Sequence, residues 1–454
     1  MTVHEITLSE AAVAYGGTLL FPDCHFQNVS TDSRTLAAGD LFVALRGETF
    51  DGHLFLKQAA TRASGFVVQY PDKQLDVPQW VVPDTVRALG QLACLARQQF
   101  AGPLIAVTGS SGKTTVKEMI AAIVGCVAPV LATRGNLNNH IGVPKTLLAL
   151  RPEHRFAVIE MGASAAGEID YLTHLAKPTV AVVNNVMPAH VEGFGSIAGV
   201  AAAKGEIYSG LSANGVAVLN LDERWVEQWQ GNLPCLNTVT FSFDRDNADV
   251  HASDVRLDIQ GCAAFVLHIR GNRIPVRLRV PGRHNVNNAL AAAACALAAG
   301  VDLTAIAAGL ENVVAVAGRM QFKAGINGCQ VIDDTYNANP GSVKAAIDVL
   351  AGLDGRRILV LGDMAELGAD ARQMHREIGE YARVRDIDAL LAIGELSAET
   401  VTGFGSGGSH FADKAALFDG LMQSLDEAVT VLVKGSRSAG MEDLVKQIAA
   451  GGTG

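Results

Sequence analysis

Long hydrophobic runs are missing from this 454-residue chain. Its most apolar stretch, ALAAAACALAAGV at 289–301, is too short to cross a bilayer and so alanine-rich that it reads as a packed helix. No membrane span is expected. A basic segment leading into an apolar core is missing as well: the opening residues, MTVHEITLSEAA, are polar and acidic, which argues against a secretory signal. The seven cysteines form no C-x-x-C pair and are odd in number. Neither a disulfide framework nor a zinc site is expected, and a reducing, cytoplasmic setting is. Excess positive charge is lacking too. A net charge of −10 argues against a nucleic-acid-binding surface but leaves room for a local basic site holding a small anion.

What is present is an ordinary globular balance, 49% hydrophobic and 18% charged, in a chain too long for one hydrophobic core. The expected fold class is α/β with three domains. Residues 1–83 alternate short apolar runs (GDLFVAL, SGFVVQY, QWVVPD) with helical segments, a small α/β unit. Residues 84–316 open with a helix at 85–100 and continue with the apolar runs LIAVTG, RFAVIEMG, TVAVVNN and GVAVLNLD between helices. Continuous runs of this kind predict strands buried on both faces of a mostly parallel sheet. Alternation around Gly271-Asn272 predicts an antiparallel hairpin, followed by a helix entered at GRHNVNNAL. Residues 317–454 alternate strand and helix again, a third unit close to the doubly wound, Rossmann-like pattern, with a frayed GGTG tail.

The run LIAVTGSSGKTTVKEMI at 104–120 reads as strand, glycine turn and helix, and resembles a phosphate loop that is too short. The usual G-x-x-x-x-G-K-[ST] pattern wants a glycine where this chain has Val107. Gly109 and Gly112 let backbone N–H groups along Thr108, Ser110, Ser111 and Thr115 turn around an anion at a helix start. Lys113 would supply charge for the β- and γ-phosphates and Thr114 a hydroxyl for Mg²⁺. A phosphate loop needs a carboxylate partner, and Glu160 at the end of the next apolar run is either that metal ligand or a structural glutamate.

Other residues stay open at this level. His190 follows the next strand and is either a functional or an exposed loop histidine. Lys204, on the helix after it, reads as a surface lysine. Asn285 and Asn288, three apart beside His284, either cap a helix or pair with a purine edge. Arg319 and Asp334 lie where a ligand between domains would meet them, or else form buried ion pairs. Lys434, Ser436 and Arg437 in LVKGSRSAGM, and Ser33 and Arg34 in STDSR, are anion candidates or plain turns.

Taken together, TGSSGKTT, Glu160, His190, Lys204, HNVNN, Arg319 and Asp334 in this order resemble the Mur ligases, ATP-dependent amide-forming enzymes of cell-wall precursor synthesis. The resemblance covers essentially the whole chain, with TRGNLNNHIGVP, DDTYNANPGS, LGDMAELG and VKGSRS as further matching segments. It implies ATP and two Mg²⁺ sites, one of them through a carbamylated Lys204 beside His190. Asn285 and Asn288 would then lie near adenine, Arg319 on the γ-phosphate and Asp334 on the ribose side. The implied partners are a UDP-N-acetylmuramoyl-tripeptide and D-alanyl-D-alanine. Ser33 and Arg34 would stand at the UDP end, while Asn138, Asn139, Tyr336, Asn337, Lys434, Ser436 and Arg437 would contact substrate. The chain is expected to act as a monomer. A nucleotide-driven switch and the related folate polyglutamylating ligase are the competing readings. The lack of a Walker-type aspartate opposes the first, and DDTYNANP with the STDSR unit opposes the second.

Overall fold

A computed structural model describes residues 6–188 and 191–450. The candidate His190 and the GGTG tail lie outside these described residues. Among them, twenty strands form three sheets, and no helix is long and apolar enough to cross a membrane.

The first sheet holds β1 (Thr18–Leu20), β2 (Val29–Ser30), β3 (Leu41–Val43), β4 (Gly65–Val68) and β5 (Gln79–Val81), in the order β1-β5-β4-β3-β2. Only β1 runs antiparallel to its neighbour. The apolar runs predicted as strands here are buried on both faces, and the two faces serve different cores. Phe42, Phe66 and Val68 pack within the unit itself. Leu41, Val43 and Val67, pointing the other way by strand alternation, join a core that also contains Leu104, Ala106 and Ile159 of the next unit. The helix Thr85–Gln98 stands between the two. It is capped by Asp84, which accepts from the amides of Val86 and Arg87, and it buries Leu89, Leu92, Ala93 and Ala96.

The second sheet follows with β6 (Leu104–Thr108), β7 (Val130–Ala132), β8 (Phe156–Glu160), β9 (Val180–Val183), β10 (Val216–Asn220), β11 (Asn237–Ser242), β12 (Val250–Leu257), β13 (Cys262–Ile269) and β14 (Asn272–Pro281). Their order is β14-β13-β12-β11-β10-β9-β6-β8-β7. Pairing is parallel from β7 to β12 and antiparallel from β12 to β14. The predicted hairpin thus extends the parallel sheet instead of forming a sheet of its own. Its turn lies one residue earlier than expected. Arg270 (φ +46°) and Gly271 (φ +83°) take the two positive-φ positions, so Asn272 pairs with Ile269 as the first residue of β14. The helices Lys113–Gly125, His284–Ala298 and Leu303–Glu311 bury their apolar residues in a common core on one face of this sheet.

The third sheet contains β15 (Gln321–Ala324), β16 (Gln330–Asp334), β17 (Arg356–Gly362), β18 (Ala389–Ile393), β19 (Gly408–Phe411) and β20 (Val429–Lys434), ordered β15-β16-β20-β17-β18-β19. All neighbours are parallel except β15. Helices Pro340–Ala351, Ala371–Val384 and Ser397–Phe404 fill the core on one face. Lys414–Met422 and Glu442–Ala450 fill the core on the other, which makes the unit doubly wound. The architecture is the expected three-domain α/β one. Its consequence for chemistry is that the carboxyl ends of β6, β8 and β9 in the second sheet, and of β16 and β20 in the third, open onto one cavity.

Candidate active site

Two glycines shape the turn after β6, Gly112 with no space for a side chain and Gly109 with little. At Gly112 (φ +76°) a Cβ would lie 2.5 Å from Asn288 Oδ1 and 2.7 Å from Asn184 Nδ2. At Gly109 (φ +152°) it would lie 3.1 Å from Asn184 Cβ. The turn is pinned by two asparagines just past β9. Asn185 accepts from the Ser110 amide through its carbonyl and from the Ser111 amide through Oδ1, both at 2.9 Å. Asn184 Nδ2 donates to Ser111 O at 3.0 Å and to Asn288 Oδ1 at 2.9 Å. Two amides expected to face an anion are thus turned toward Asn185. The donors left for a phosphate include those of the helix start from Lys113 onward, where intrahelical partners are lacking.

The next contacts join three segments around one carboxylate. Thr114 Oγ1 donates to Glu160 Oε2 at 2.9 Å, and Asn138 Nδ2 donates to Glu160 Oε1 at 2.8 Å. Arg319, from the third unit, donates through Nη2 to Thr114 Oγ1 at 2.8 Å. Its guanidinium carbon sits 4.1 Å from the centroid of the Tyr336 ring. Lys113 Nζ donates to Gly109 O at 2.8 Å. Burial pushes the Lys113 pKa down; Glu160 opposes that shift and Arg319 adds to it.

Across the cavity, Asp334 and Lys434 end adjacent strands in register. Lys434 Nζ lies 2.5 Å from Asp334 Oδ2 and donates to Asn337 O at 2.8 Å. The other Asp334 oxygen accepts from the Met320 amide at 3.1 Å. The cavity measures about 940 Å³, and Lys113, Glu160, Asn288, Arg319, Tyr336 and Lys434 all line it.

Most of the sequence-predicted residues meet here, though several in an unexpected manner. The amides of Asn285 and Asn288 form a chain, Asn288 Nδ2 donating to Asn285 Oδ1 at 2.8 Å and Asn285 Nδ2 to Pro281 O at 2.7 Å. They brace the loop through Asn184 while lining the cavity. Asn139 Oδ1 accepts from the Ile141 and Gly142 amides at 3.2 and 2.9 Å, and Asn337 Oδ1 from the Ala338 amide at 2.9 Å.

Lys204 is not a surface residue: it is 1% exposed, with Nζ 5.5 Å from the Phe194 ring centroid. Burial lowers its pKa to about 7; repulsion from Lys113 adds to the shift, and Glu168 and Glu206 oppose it.

Several candidates do not line the cavity, Lys204 among them. Ser33 and Arg34 lie on a turn where Arg34 pairs with Asp32 at 2.7 Å. Ser436 is buried, its amide donating to Asp363 O at 2.9 Å, and the exposed Arg437 pairs with Glu442 at 3.1 Å.

Sequence reasoning missed three residues. Asn184 and Asn185 carried a signal, a doubled amide at the end of a buried strand. Lys117, also 1% exposed, carried a subtler one, a lysine on the same helix stripe as Ile120 and Val124.

Comparison with known proteins agrees with this layout. Three family profiles match the chain: "Mur ligase family, catalytic domain" over 25–97, "Mur ligase middle domain" over 107–296, and "Mur ligase, glutamate ligase domain" over 318–437. The chain is 46% identical over 450 residues, 99% of both chains, to a UDP-N-acetylmuramoyl-tripeptide–D-alanyl-D-alanine ligase of Escherichia coli. It superposes on a crystal structure of MurF from Acinetobacter baumannii with a TM-score of 0.92 at 37% identity, covering 99% of this chain and 100% of that one. For MurF ligase from Thermotoga maritima in complex with ADP, the TM-score is 0.82 at 27% identity, covering 93% and 97%.

Proposed function

The chain belongs to the Mur ligase family, and on that footing we propose that it joins D-alanyl-D-alanine to the terminal carboxylate of a UDP-N-acetylmuramoyl-tripeptide, with ATP converted to ADP and phosphate. The observation that carries this reading is the meeting of Thr114, Glu160 and Arg319, from two domains, beside Lys113 in one cavity.

The reaction has two steps. A carboxylate oxygen of the tripeptide attacks the γ-phosphorus, giving an acyl phosphate and ADP. The dipeptide amine then attacks the acyl carbon; the tetrahedral species expels phosphate, and the amine loses a proton. The first step brings two anions together. Lys113 and Arg319 would offset that repulsion and stabilise the charge in transfer. The residues fit a nucleotide–Mg²⁺ complex. Gly112 has no room for a side chain at the turn, and the Thr114 hydroxyl and Glu160 carboxylate converge within 2.9 Å. Bound there, Mg²⁺ would neutralise phosphate oxygens. The boundaries near 83 and 317 divide the labour: the first domain holds the UDP end, the second the nucleotide, and the third the dipeptide while closing over ATP to exclude water. Asn138, Asn139, Tyr336 and Asn337 would position the peptide. Both ATP and a UDP-sugar substrate point to the cytoplasm, and a single chain supplies every group named.

Lys204 is the proposed carbamate. A lysine held near a pKa of 7 keeps much of its amine unprotonated at neutral pH. That amine attacks CO₂, forms the N–C bond and releases one proton, leaving an anion. The change turns repulsion from Lys113 into attraction and would supply an anionic ligand for a second Mg²⁺, a role that the family resemblance shares out between Lys204 and His190. Lys204→Ala should lose activity and regain part of it with added short carboxylates; full activity in that variant would refute the carbamate.

The overall reading is tested by phosphate release. It should require ATP, the UDP-linked tripeptide and the dipeptide together, and the product mass should equal the two acceptors joined with loss of water. Strong release with ATP alone would favour the nucleotide switch instead.

A further inference from the structure

Two lysines rank among the largest fully buried side chains, and the reaction above uses only one, Lys204. The other, Lys117, lies one helical turn beyond Lys113 and is 1% exposed. A buried ammonium is costly unless its donors are matched, and an unbranched apolar side chain would fill the same volume without that cost. What Lys117 grips is therefore informative. Its Nζ lies 2.6 Å from Glu118 Oε1 and donates to the carbonyl of Thr133 at 2.6 Å.

Thr133 is the residue at which the chain leaves β7. Its amide still bonds Val158 O at 3.0 Å, and its hydroxyl accepts from the Glu160 amide at 3.0 Å, in place of a further ladder bond. Beyond it the backbone turns through Gly135 (φ +54°) into the segment carrying Asn138, whose Nδ2 meets Glu160 Oε1 at 2.8 Å. Glu160 is thus held at three points: its amide by Thr133, one oxygen by Asn138 and the other by Thr114. Lys117 fixes the root of the first two of these to the helix that carries the third.

We infer that Lys117 is a positioning residue for Glu160, tying the phosphate-loop helix to the segment that orients the carboxylate so that Thr114 and Glu160 keep a metal-binding separation. The inference rests on the reading of Glu160 as a metal ligand. It gives a reason for a charged group at this depth that stability alone does not.

The test uses the full chain with ADP and Mn²⁺ as the probe, Mn²⁺ affinity being read by electron paramagnetic resonance. Melting temperature and the Mg²⁺ dependence of turnover are followed alongside. Lys117→Met and Thr133→Val should each weaken Mn²⁺ binding by about 10–100-fold, the usual range for groups that orient a metal ligand. Because they act along one chain of contacts, the double variant should be no worse than the weaker single one. Thr133→Ser, which keeps the hydroxyl, should bind as the parent does. Where Lys117→Met fails to fold, the Thr133 pair carries the comparison: valine weakening the metal and serine not. Unchanged Mn²⁺ affinity in Lys117→Met or Thr133→Val, or losses that multiply in the double variant, would overturn the inference. Glu160→Gln separates the two readings. If it weakens Mn²⁺ binding and Lys117→Met does not, only the positioning role falls; if it has no effect, the metal-ligand reading falls with it.

Discussion

The ion pairs Asp334–Lys434 and Asp32–Arg34 are the same chemistry in opposite surroundings. Their N···O separations are 2.5 and 2.7 Å. Lys434 is 3% exposed and its carboxylate 11%; Arg34 is 83% exposed and its carboxylate 34%. In the sequence both cations read as parts of short polar turns and equally as anion candidates, but in the structure Lys434 is the last residue of β20. At the cavity wall both partners are largely removed from water, so losing one is costly, and the pair's geometry is fixed by two strands in register. On the turn, water and salt screen the same contact. A depressed carboxyl pKa does not require a cavity. Asp32 is held down at about 2 chiefly by its hydrogen bonds from Arg34, with no cavity involved.

Removing the buried cation gives the largest expected effect. Lys434→Met leaves Asp334 buried against the Met320 amide alone on that side, and stranding a buried charge costs about 3–5 kcal/mol. Chemical denaturation should show that loss. A cost below about 1 kcal/mol, the range of exposed pairs, would erase the distinction between the two regions. Lys434→Arg, which keeps the charge, sharpens the point. A pairing role with Asp334 raises KM for ATP, whereas a direct hold on the dipeptide carboxylate raises KM for the dipeptide.

Arg319 comes next. It reaches Thr114 from another domain, and loss of a preorganised cation facing developing charge should lower kcat by roughly 10²–10³. Arg319→Met tests this by single-turnover phosphate transfer, and a loss under tenfold would place Arg319 outside the chemistry. Gly112→Ala follows. A methyl group there meets Asn288 Oδ1 at 2.5 Å and a left-handed backbone at φ +76°. The loop must deform, and KM for ATP should rise on the order of tenfold, with strain of about 1–3 kcal/mol in the fold. Unchanged ATP affinity would mean that the loop's shape is not what binds phosphate.

The fold was legible because its strands are continuous apolar runs buried on both faces, a signal that survives without tertiary context. The hairpin turn was read one residue late, since nothing in the composition announces Arg270 as a positive-φ residue. At the site, glycines and strand-end carboxylates could be read because their roles depend on local backbone shape. Lys204 and Lys117 could not: one reads as a surface lysine and the other shows only its place on an apolar stripe, and both are buried by what folds over them. Asn184 and Asn185 were hidden for a related reason: their hydrogen bonds run to a loop about 75 residues away, set by the adjacency of β6 and β9 and not by spacing along the chain.

The smallest effect should belong to Arg34. Removing its guanidinium frees an exposed carboxylate, and Asp32 should titrate nearer its ordinary value of 3.8 than its present value of about 2. The sign follows from linkage. A carboxylate whose pKa is depressed on folding stabilises the fold above the unfolded pKa and loses that contribution as pH falls through the folded one. Arg34→Ala should therefore match the parent chain below pH 2 and fall slightly short of it above pH 4, with the gap shrinking as salt is added. Carbon-detected NMR titration of the Asp32 carboxyl reads the pKa directly. For activity, the proposed place of Arg34 at the UDP end limits its effect to a few-fold rise in KM for the UDP-linked substrate, with kcat unchanged. An exposed, screened cation can steer an anion without sharing in the transition state. A fall in kcat as large as that expected for Arg319 would show that domain closure brings this turn to the cavity, and the contrast between the two ion pairs would then hold only for the unliganded chain.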